Sequence, residues 1–517
     1  AGPVEKVKLV PQQESIAMGA GAGYGLDYGN VTAANHLIDG PRPFVVFNPT
    51  AWDRREVVKA TIWDSGTGSL AGPIDNKTFV VRTADGKSVP AQKLRWGNYW
   101  GHDYVDLAFP ADVPSMGYNT FVIEESPTAA KAYGLQDAPA AIPGSVKMQT
   151  GFRGVERHPQ GPMTLENDFV FARFDRLTGG IVEFIDKTSG RNLADPANPL
   201  GVAEFVMERG RGMSAWLISD AHRRDAIEIN SFWPGQNNGP YQASFVAKAK
   251  VGTSEITITY TLRACSPILE IAVQTLWMER GTGAGGHPSL LMKFPLALRD
   301  AKGTYEIPYG AIRRDLNQGE EVPALRFADV SGLAVQGGKQ VGLTLLNDCK
   351  YGYSLTDSAL RVSLVRATHD PDRLPEAGEH SMMFGIVPHG GQPTVADLTR
   401  MGAAFNHPLQ VVGTDVHSGP LADKSAGVTC SQPNVVVTSV KVGQYDETLI
   451  VRMYETAGKA VTAKLTFDAT LFGKPATAVE TNMLERNLEN STAKIAGQSV
   501  SIEISPHGIA TVKVMME

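Results

Sequence analysis

Glu255-Ile256-Thr257-Ile258-Thr259-Tyr260-Thr261-Leu262 decides the fold class. Large apolar side chains recur at every second position with threonine between them. That is the period of a strand with one buried face, not of a helix. β-Branched and aromatic residues fill the segment, as a pleated surface favours. Ile268 to Leu276 repeats the pattern a few residues later. Upstream, Phe169 to Phe174 and Ile181 to Ile185 flank Asp175-Arg176-Leu177-Thr178-Gly179-Gly180, which reads as a hairpin around a glycine turn.

The same alternation extends through the chain, while apolar spacing of i, i+3, i+4, i+7 is scarce. The 53 glycines and 32 prolines punctuate many short segments, the pattern of stacked sheets. Thr394 to Phe405 is the one stretch that reads as a helix, with Thr394 as its cap.

The 517 residues suggest three or four domains at roughly 100–200 residues each. Residues 1–42 read as irregular, with a glycine-rich loop from Gly19 to Gly29. A small β-sandwich is expected over 43–126, carrying Phe44-Val45-Val46-Phe47 and Val57 to Trp63. In the latter, Val58, Ala60 and Ile62 should face the core. Residues 127–160, rich in Ala, Pro, Gly and Gln, read as a linker. A large central β-domain is expected over 161–405 and a C-terminal β-sandwich over 406–517.

A net charge of −6 offers no attraction to phosphate backbones or anionic lipid, so neither nucleic acid nor membrane is an expected partner. No run of about 18 apolar residues is present. Cys265, Cys349 and Cys430 are too few and too scattered for a disulfide scaffold, and the odd count favours a cytoplasmic over a secreted address. The chain opens at Ala1 without an initiator methionine, which fits a processed or cut polypeptide.

Motifs for familiar chemistries are missing. There is no Gly-x-Ser-x-Gly, no phosphate-binding Gly-x-x-x-x-Gly-Lys-Ser/Thr and no His-Glu-x-x-His. His102-Asp103 and His369-Asp370 are adjacent pairs, which on a strand point to opposite faces, so no metal site is expected from this chain. Trp96, Tyr99, Trp100, His102 and Asp103 could stack on a sugar; a partly buried aromatic cluster closing the first sandwich is the plainer reading. Arg313-Arg314 reads as an exposed or interdomain ion pair, and Glu379-His380 as a buried polar pair.

Three stretches resemble the C-terminal β-region of family 38 glycoside hydrolases, the α-mannosidases, in their bacterial and cytosolic branch. The first is Leu165-Glu166-Asn167-Asp168-Phe169 with Arg173-Phe174-Asp175 and Gly179-Gly180-Ile181. The second is Tyr305-Glu306-Ile307-Pro308-Tyr309-Gly310 with Arg313-Arg314 and Glu320-Glu321-Val322-Pro323-Ala324. The third and most specific is Leu345-Leu346-Asn347-Asp348-Cys349-Lys350-Tyr351-Gly352-Tyr353, continuing through Leu360 to Arg366, Gly378-Glu379-His380 and Pro388-His389-Gly390. Weaker echoes are Phe47-Asn48-Pro49 with Trp52, Met213-Ser214-Ala215-Trp216 and Val451 to Glu455.

The resemblance implies an all-β chain: a galactose-mutarotase-like β-supersandwich flanked by smaller β-sandwich domains. Family members carry zinc and a nucleophilic Asp in an upstream catalytic domain, which this sequence is expected to lack. The implied role is to complete the pocket for an α-mannoside or oligosaccharide. Asp348, Lys350 and Tyr351 are the substrate-binding candidates, with no catalytic or metal residue assigned to this chain. A strand that stops abruptly at Asn347 presents polar groups at a sheet rim, where ligands commonly lie. Lys350 and Tyr351 would donate to mannose hydroxyls, while Asp348 would accept one or orient Lys350; a turn cap at Asp348 with a solvated Lys350 is the bland alternative. A non-catalytic glycan-binding module and a mutarotase-like epimerase using a His and a Glu are the competing functions. Homo-oligomerisation is left open.

Overall fold

The fold comes from a computed structural model. It describes residues 41–63, 77–99, 102–125, 144–150, 161–315, 320–335, 337–414 and 419–517. The glycine-rich loop at 19–29 and most of the expected irregular and linker segments lie outside these residues.

The described chain is all-β apart from the helices Val395–Asn406 and Ala469–Phe472. It forms two compact units. One gathers the described residues up to Pro143, Gly239–Tyr241 and those from His407 onward; the other holds Gly144–Asn238 and Gln242–Asn406.

In the first unit, a six-stranded and a three-stranded sheet enclose a core that includes Phe44, Val58, Ala60, Ile62, Phe109 and Phe121. Val58, Ala60 and Ile62 point inward as their alternation requires, and Lys59 is exposed between them. Strand Arg42–Phe47 begins within the segment expected to be irregular and pairs on one side with Tyr118–Glu125. Its other side pairs with Gln410–Gly413, so a piece of the expected C-terminal sandwich completes the first one. The remaining strands of this unit form two four-stranded sheets around Val451, Met453, Leu465, Phe467, Val500 and Val512.

The second unit holds a five-stranded, a six-stranded and a nine-stranded sheet. The opening segment lies within strand Ser254–Arg263, where Ile256, Ile258, Tyr260 and Leu262 are all buried and Glu255 is exposed. Burying each such apolar side chain contributes about 1.5–3 kcal/mol. Its neighbour Leu269–Trp277 places Ile271 opposite Tyr260 and Val273 opposite Ile258, so both strands commit the same face inward. Tyr305 against Tyr353 and Phe205 against Trp277 link the nine- and six-stranded sheets through ring contacts at 6.5 and 6.4 Å.

The hairpin forms as expected, with Val170–Phe174 paired to Ile181–Asp186. Thr178 donates its hydroxyl and amide to Asp175 across the turn, and Gly179 takes the positive φ of 68°. Lys147–Gln149, inside the expected linker, is a short strand on Met163–Glu166. Three residues are too few to show alternation, which explains why composition read them as linker.

Thr394 caps the helix Val395–Asn406 as expected. Its hydroxyl oxygen accepts the Asp397 amide at 3.1 Å and donates to the Asp397 carboxylate at 2.6 Å. Leu398 from this helix packs with Phe327, Leu346 and Val387 of the nine-stranded sheet.

Candidate functional site

The six-stranded sheet of the second unit orders its strands as Ala221–Ala226, Val202–Glu208, His287–Pro295, Ala359–Arg366, Gly352–Thr356 and Val322–Pro323. Glu204 and Glu208, four residues apart, share a face of their strand. Arg361 and Arg366, five apart, would ordinarily face opposite ways. A bulge solves this: Leu290 pairs with Val365 and Leu291 with Ser363, leaving Leu364 as the extra residue. Both arginines therefore reach the glutamates.

Arg361 bonds Glu204 at 3.0 Å, and Arg366 grips Glu208 with two bonds of 2.7 and 2.8 Å. Arg366 also donates to the carbonyls of Ser214 at 2.7 Å and Leu217 at 3.0 Å. Glu208 takes the Ser219 amide at 3.0 Å on its other side. The segment from Ser214 to Ser219 is thus strapped to the end of the sheet.

Ser214, fully buried, strengthens the strap: its hydroxyl oxygen accepts the amides of His369 at 3.0 Å and Asp370 at 2.9 Å. The Asp370 carboxylate accepts the Met213 amide at 2.7 Å. On this tethered backbone Trp216 is 64% exposed, with Met213, Leu217 and Ile218 also exposed beside it. These bonds fix the loop backbone while the Trp216 indole stays exposed, an arrangement that can serve as a contact surface.

A cleft of about 230 Å³ adjoins this loop and is lined by Glu208, Ile218, Arg224, Glu321, Ser354 and Arg361, among others. Burial pushes the Glu321 carboxyl above its ordinary value, and the Ser363 hydroxyl that bonds it only partly opposes this. Burial likewise holds His287 below its ordinary value.

The three candidates from sequence lie at the same end of this sheet. Gly352–Thr356 runs antiparallel to Ala359–Arg366 with Tyr353 opposite Val362, so 350–352 lie toward the Arg366 end. A Cβ built on Gly352 would stand 2.5 Å from Glu321 Oε2, so this glycine admits the glutamate. Asn347 organises the turn: its Oδ1 accepts the Lys350 amide at 2.8 Å, and its Nδ2 donates to the Tyr353 hydroxyl at 2.6 Å and to the Leu325 carbonyl.

Tyr351 is 54% exposed and Lys350 is half-buried. Asp348 accepts the Met383 amide on Oδ1 at 3.0 Å and returns its own amide to the Met383 carbonyl at 3.2 Å. It makes no ion pair with Lys350 among the described residues, so it shapes the rim rather than aiming the lysine. Partial desolvation and the neighbouring Asp348 carboxylate push the Cys349 thiol up to about 11, which makes it a poor nucleophile.

Two expectations are corrected, those for Arg313-Arg314 and for Glu379-His380. Arg314 forms no ion pair among the described residues; it stacks over the Tyr305 ring at 5.3 Å and donates to the Pro323 carbonyl at 2.8 Å, while Arg313 is exposed. Glu379 is exposed and His380 bonds the Glu376 carbonyl at 2.7 Å, because neighbours on a strand face opposite ways. His369 and Asp370 lie beyond a strand end, where their adjacent amides converge on Ser214. Trp96 sits under Lys93 at 5.5 Å and is partly exposed; the side chains of Tyr99, Trp100, His102 and Asp103 lie outside the described residues.

Zinc is the metal that the family resemblance implies. Among the described residues no three His, Cys, Asp or Glu side chains converge into a metal cage, so the donors here do not fit it. No described helix is long and apolar enough to cross a membrane.

Comparison with known proteins bears on the family and the fold. Residues 165–374 match the "Glycosyl hydrolases family 38 C-terminal domain" and 434–512 the "Glycosyl hydrolases family 38 C-terminal beta sandwich domain". "Alpha-mannosidase 2C1" of Mus musculus is 27% identical over 345 residues, covering 63% of this chain and 31% of its own length. "Alpha-mannosidase G" of Dictyostelium discoideum is 26% identical over 373 residues, covering 68% and 32%. A crystal structure of a family 38 glycosyl hydrolase protein from Enterococcus faecalis superposes with a TM-score of 0.67 at 18% identity, over 92% of this chain and 58% of that one. The chain spans about a third of the length of these curated relatives. It belongs to glycosyl hydrolase family 38, as the C-terminal β-region of that family.

Proposed function

We propose that this chain is the C-terminal β-region of a retaining, zinc-dependent α-mannosidase, and that it walls one side of a mannose pocket whose metal and nucleophile come from an upstream catalytic domain. The observation that carries the reading is the Trp216 loop, exposed yet bolted to the sheet through Arg366, Glu208 and Ser214. An indole face suits the apolar face of a pyranose, and the charged groups beside it suit its hydroxyls. Lys350 and Tyr351 serve as further donors at the same sheet end, with Asp348 fixing the turn that presents them.

Zinc and a nucleophilic carboxylate in the partner domain would supply the charge stabilisation and the covalent step of a retaining hydrolase. This chain's share is binding and orientation. The three cysteines are free, which suits a cytoplasmic protein.

The test is steady-state kinetics on p-nitrophenyl α-mannoside, using a polypeptide that joins this chain to a family 38 catalytic domain. Trp216→Ala should raise KM about tenfold, the equivalent of roughly 1.4 kcal/mol of sugar contact. Tyr351→Phe should raise it less. Unchanged kinetics in both variants would remove the chain from the pocket.

A further inference from the structure

At the opposite end of strand Gln340–Asn347 from Asn347, the second unit carries a larger cleft of about 610 Å³. That size suits a small-molecule ligand. Its walls come from the turn of 186–191, from the start of the strand at Lys339 and Gln340, and from the end of strand Gly378–Gly390 at His389. Phe169, 38% exposed, supplies an apolar side.

The charged groups of this cleft divide into two sets. The acids are already occupied. Behind the wall, and not lining it, the fully buried Asp329 accepts Thr344 Oγ1 and Ser331 Oγ at 2.8 Å each and lies 2.8 Å from His389 Nε2. Asp186 accepts three backbone amides, those of Thr188 at 3.0 Å, Ser189 at 3.2 Å and Gly390 at 3.1 Å. His389 is held from both sides, because its Nδ1 lies 3.3 Å from the Gly391 carbonyl. Any Cβ at position 342 would strike this ring at 2.4 Å, so Gly342 leaves the space that the imidazole occupies.

The bases are free. The side chains of Arg191 and Lys339 make no hydrogen bond or ion pair among the described residues, although both line the cleft. The turn at Gly337, with φ of 84°, passes so close that a Cβ there would stand 3.4 Å from Arg191 Nη1. The turn and the guanidinium are therefore neighbours, and Lys339 follows two residues later. The unused charged capacity is donors only: five N–H groups on Arg191 and three on Lys339. A neutral sugar, whose hydroxyls donate as well as accept, would find no acceptor on these two side chains. An acceptor-only group needs none.

We infer that this cleft binds an oxyanion, a phosphate or a carboxylate carried on a small polar ligand, gripped by Arg191 and Lys339 beside the Asp329-anchored His389. A planar guanidinium fork matches either anion in a bidentate manner, and the ammonium adds a point charge.

Isothermal titration of the 517-residue chain at constant ionic strength tests this, with inorganic phosphate, glucuronate and mannose as separate probes. Saturable binding of phosphate or of glucuronate is expected, and which of the two binds identifies the anion class. Arg191→Gln and Lys339→Gln should each weaken it about tenfold or more, as loss of a bond to a charged group does. The double variant should show none. Both side chains sit at the surface without partners, so thermal midpoints should match the parent and keep the comparison clean. No binding of either anion above the chloride background, equal binding by the double variant, or mannose binding as tightly as the anions would each overturn the proposal.

Discussion

Arg366 is the residue on which the Trp216 loop depends, because one guanidinium serves both the buried Glu208 and the carbonyls of that loop. Removing it leaves a carboxylate that is 4% exposed without its cation. Breaking such a pair typically costs about 3–5 kcal/mol. Arg366→Ala should therefore lower the urea midpoint strongly and admit protease to the 213–219 loop; a midpoint within error of the parent would show that the strap is not structural. Glu321 gives a pH test at the same scale. Its pKa is raised in the folded chain, so the fold holds its proton more tightly than the unfolded chain does. Stability from this group is therefore present below about 4.5 and lost as pH rises toward the folded value. Glu321→Gln cannot ionise, so its stability relative to the parent should rise with pH across that window. A pH-independent difference would mean that the carboxyl is not desolvated as described.

At the scale of elements, the period-2 segments were fully legible: Ser254–Arg263, Leu269–Trp277, the hairpin at 170–186 and the capped helix follow from alternation, glycine turns and one threonine. The site was legible only in part. Asn347 to Tyr351 stands out in the sequence because an apolar strand stops there, but the roles of the side chains depend on tertiary partners: Asp348 turns to Met383 and not to Lys350. The Glu204/Glu208 and Arg361/Arg366 ladder was missed. Its signal was present as charged residues embedded in apolar strands, yet the five-residue spacing of the arginines makes sense only with a bulge that sequence does not announce. A comparable device holds the last sandwich. Glu455, 1% exposed, accepts the amides of Ala457 at 2.6 Å, Gly458 at 2.8 Å, Lys459 at 3.1 Å and His507 at 3.0 Å. Burial alone would raise its pKa, but these amides and Asn434 together bring it below the ordinary value. Its contribution is thus present above pH about 4.5 and fades as pH falls through the lower folded value. Glu455→Gln should cost about 2 kcal/mol at neutral pH, in line with losing charged hydrogen bonds, and flatten the acid limb of a urea stability profile. An unaltered acid limb would count against the role given to these amides.

For the whole molecule, the proposed division of labour rests on the family and on what the ends of its sheets present. Their ends offer strapped loops, aromatic faces and paired charges; among the described residues they do not converge three ligands on a metal. Recognition is what we propose for this chain, and the chemistry for a family 38 catalytic domain. The most direct measurement compares α-mannoside hydrolysis in the presence of zinc by this chain alone and by the same chain joined to a family 38 catalytic domain. The account predicts no turnover from the chain alone, turnover from the joined polypeptide, and a raised KM when Trp216 becomes Ala. Turnover by the isolated chain at a comparable kcat, or a joined enzyme indifferent to Trp216, would contradict it.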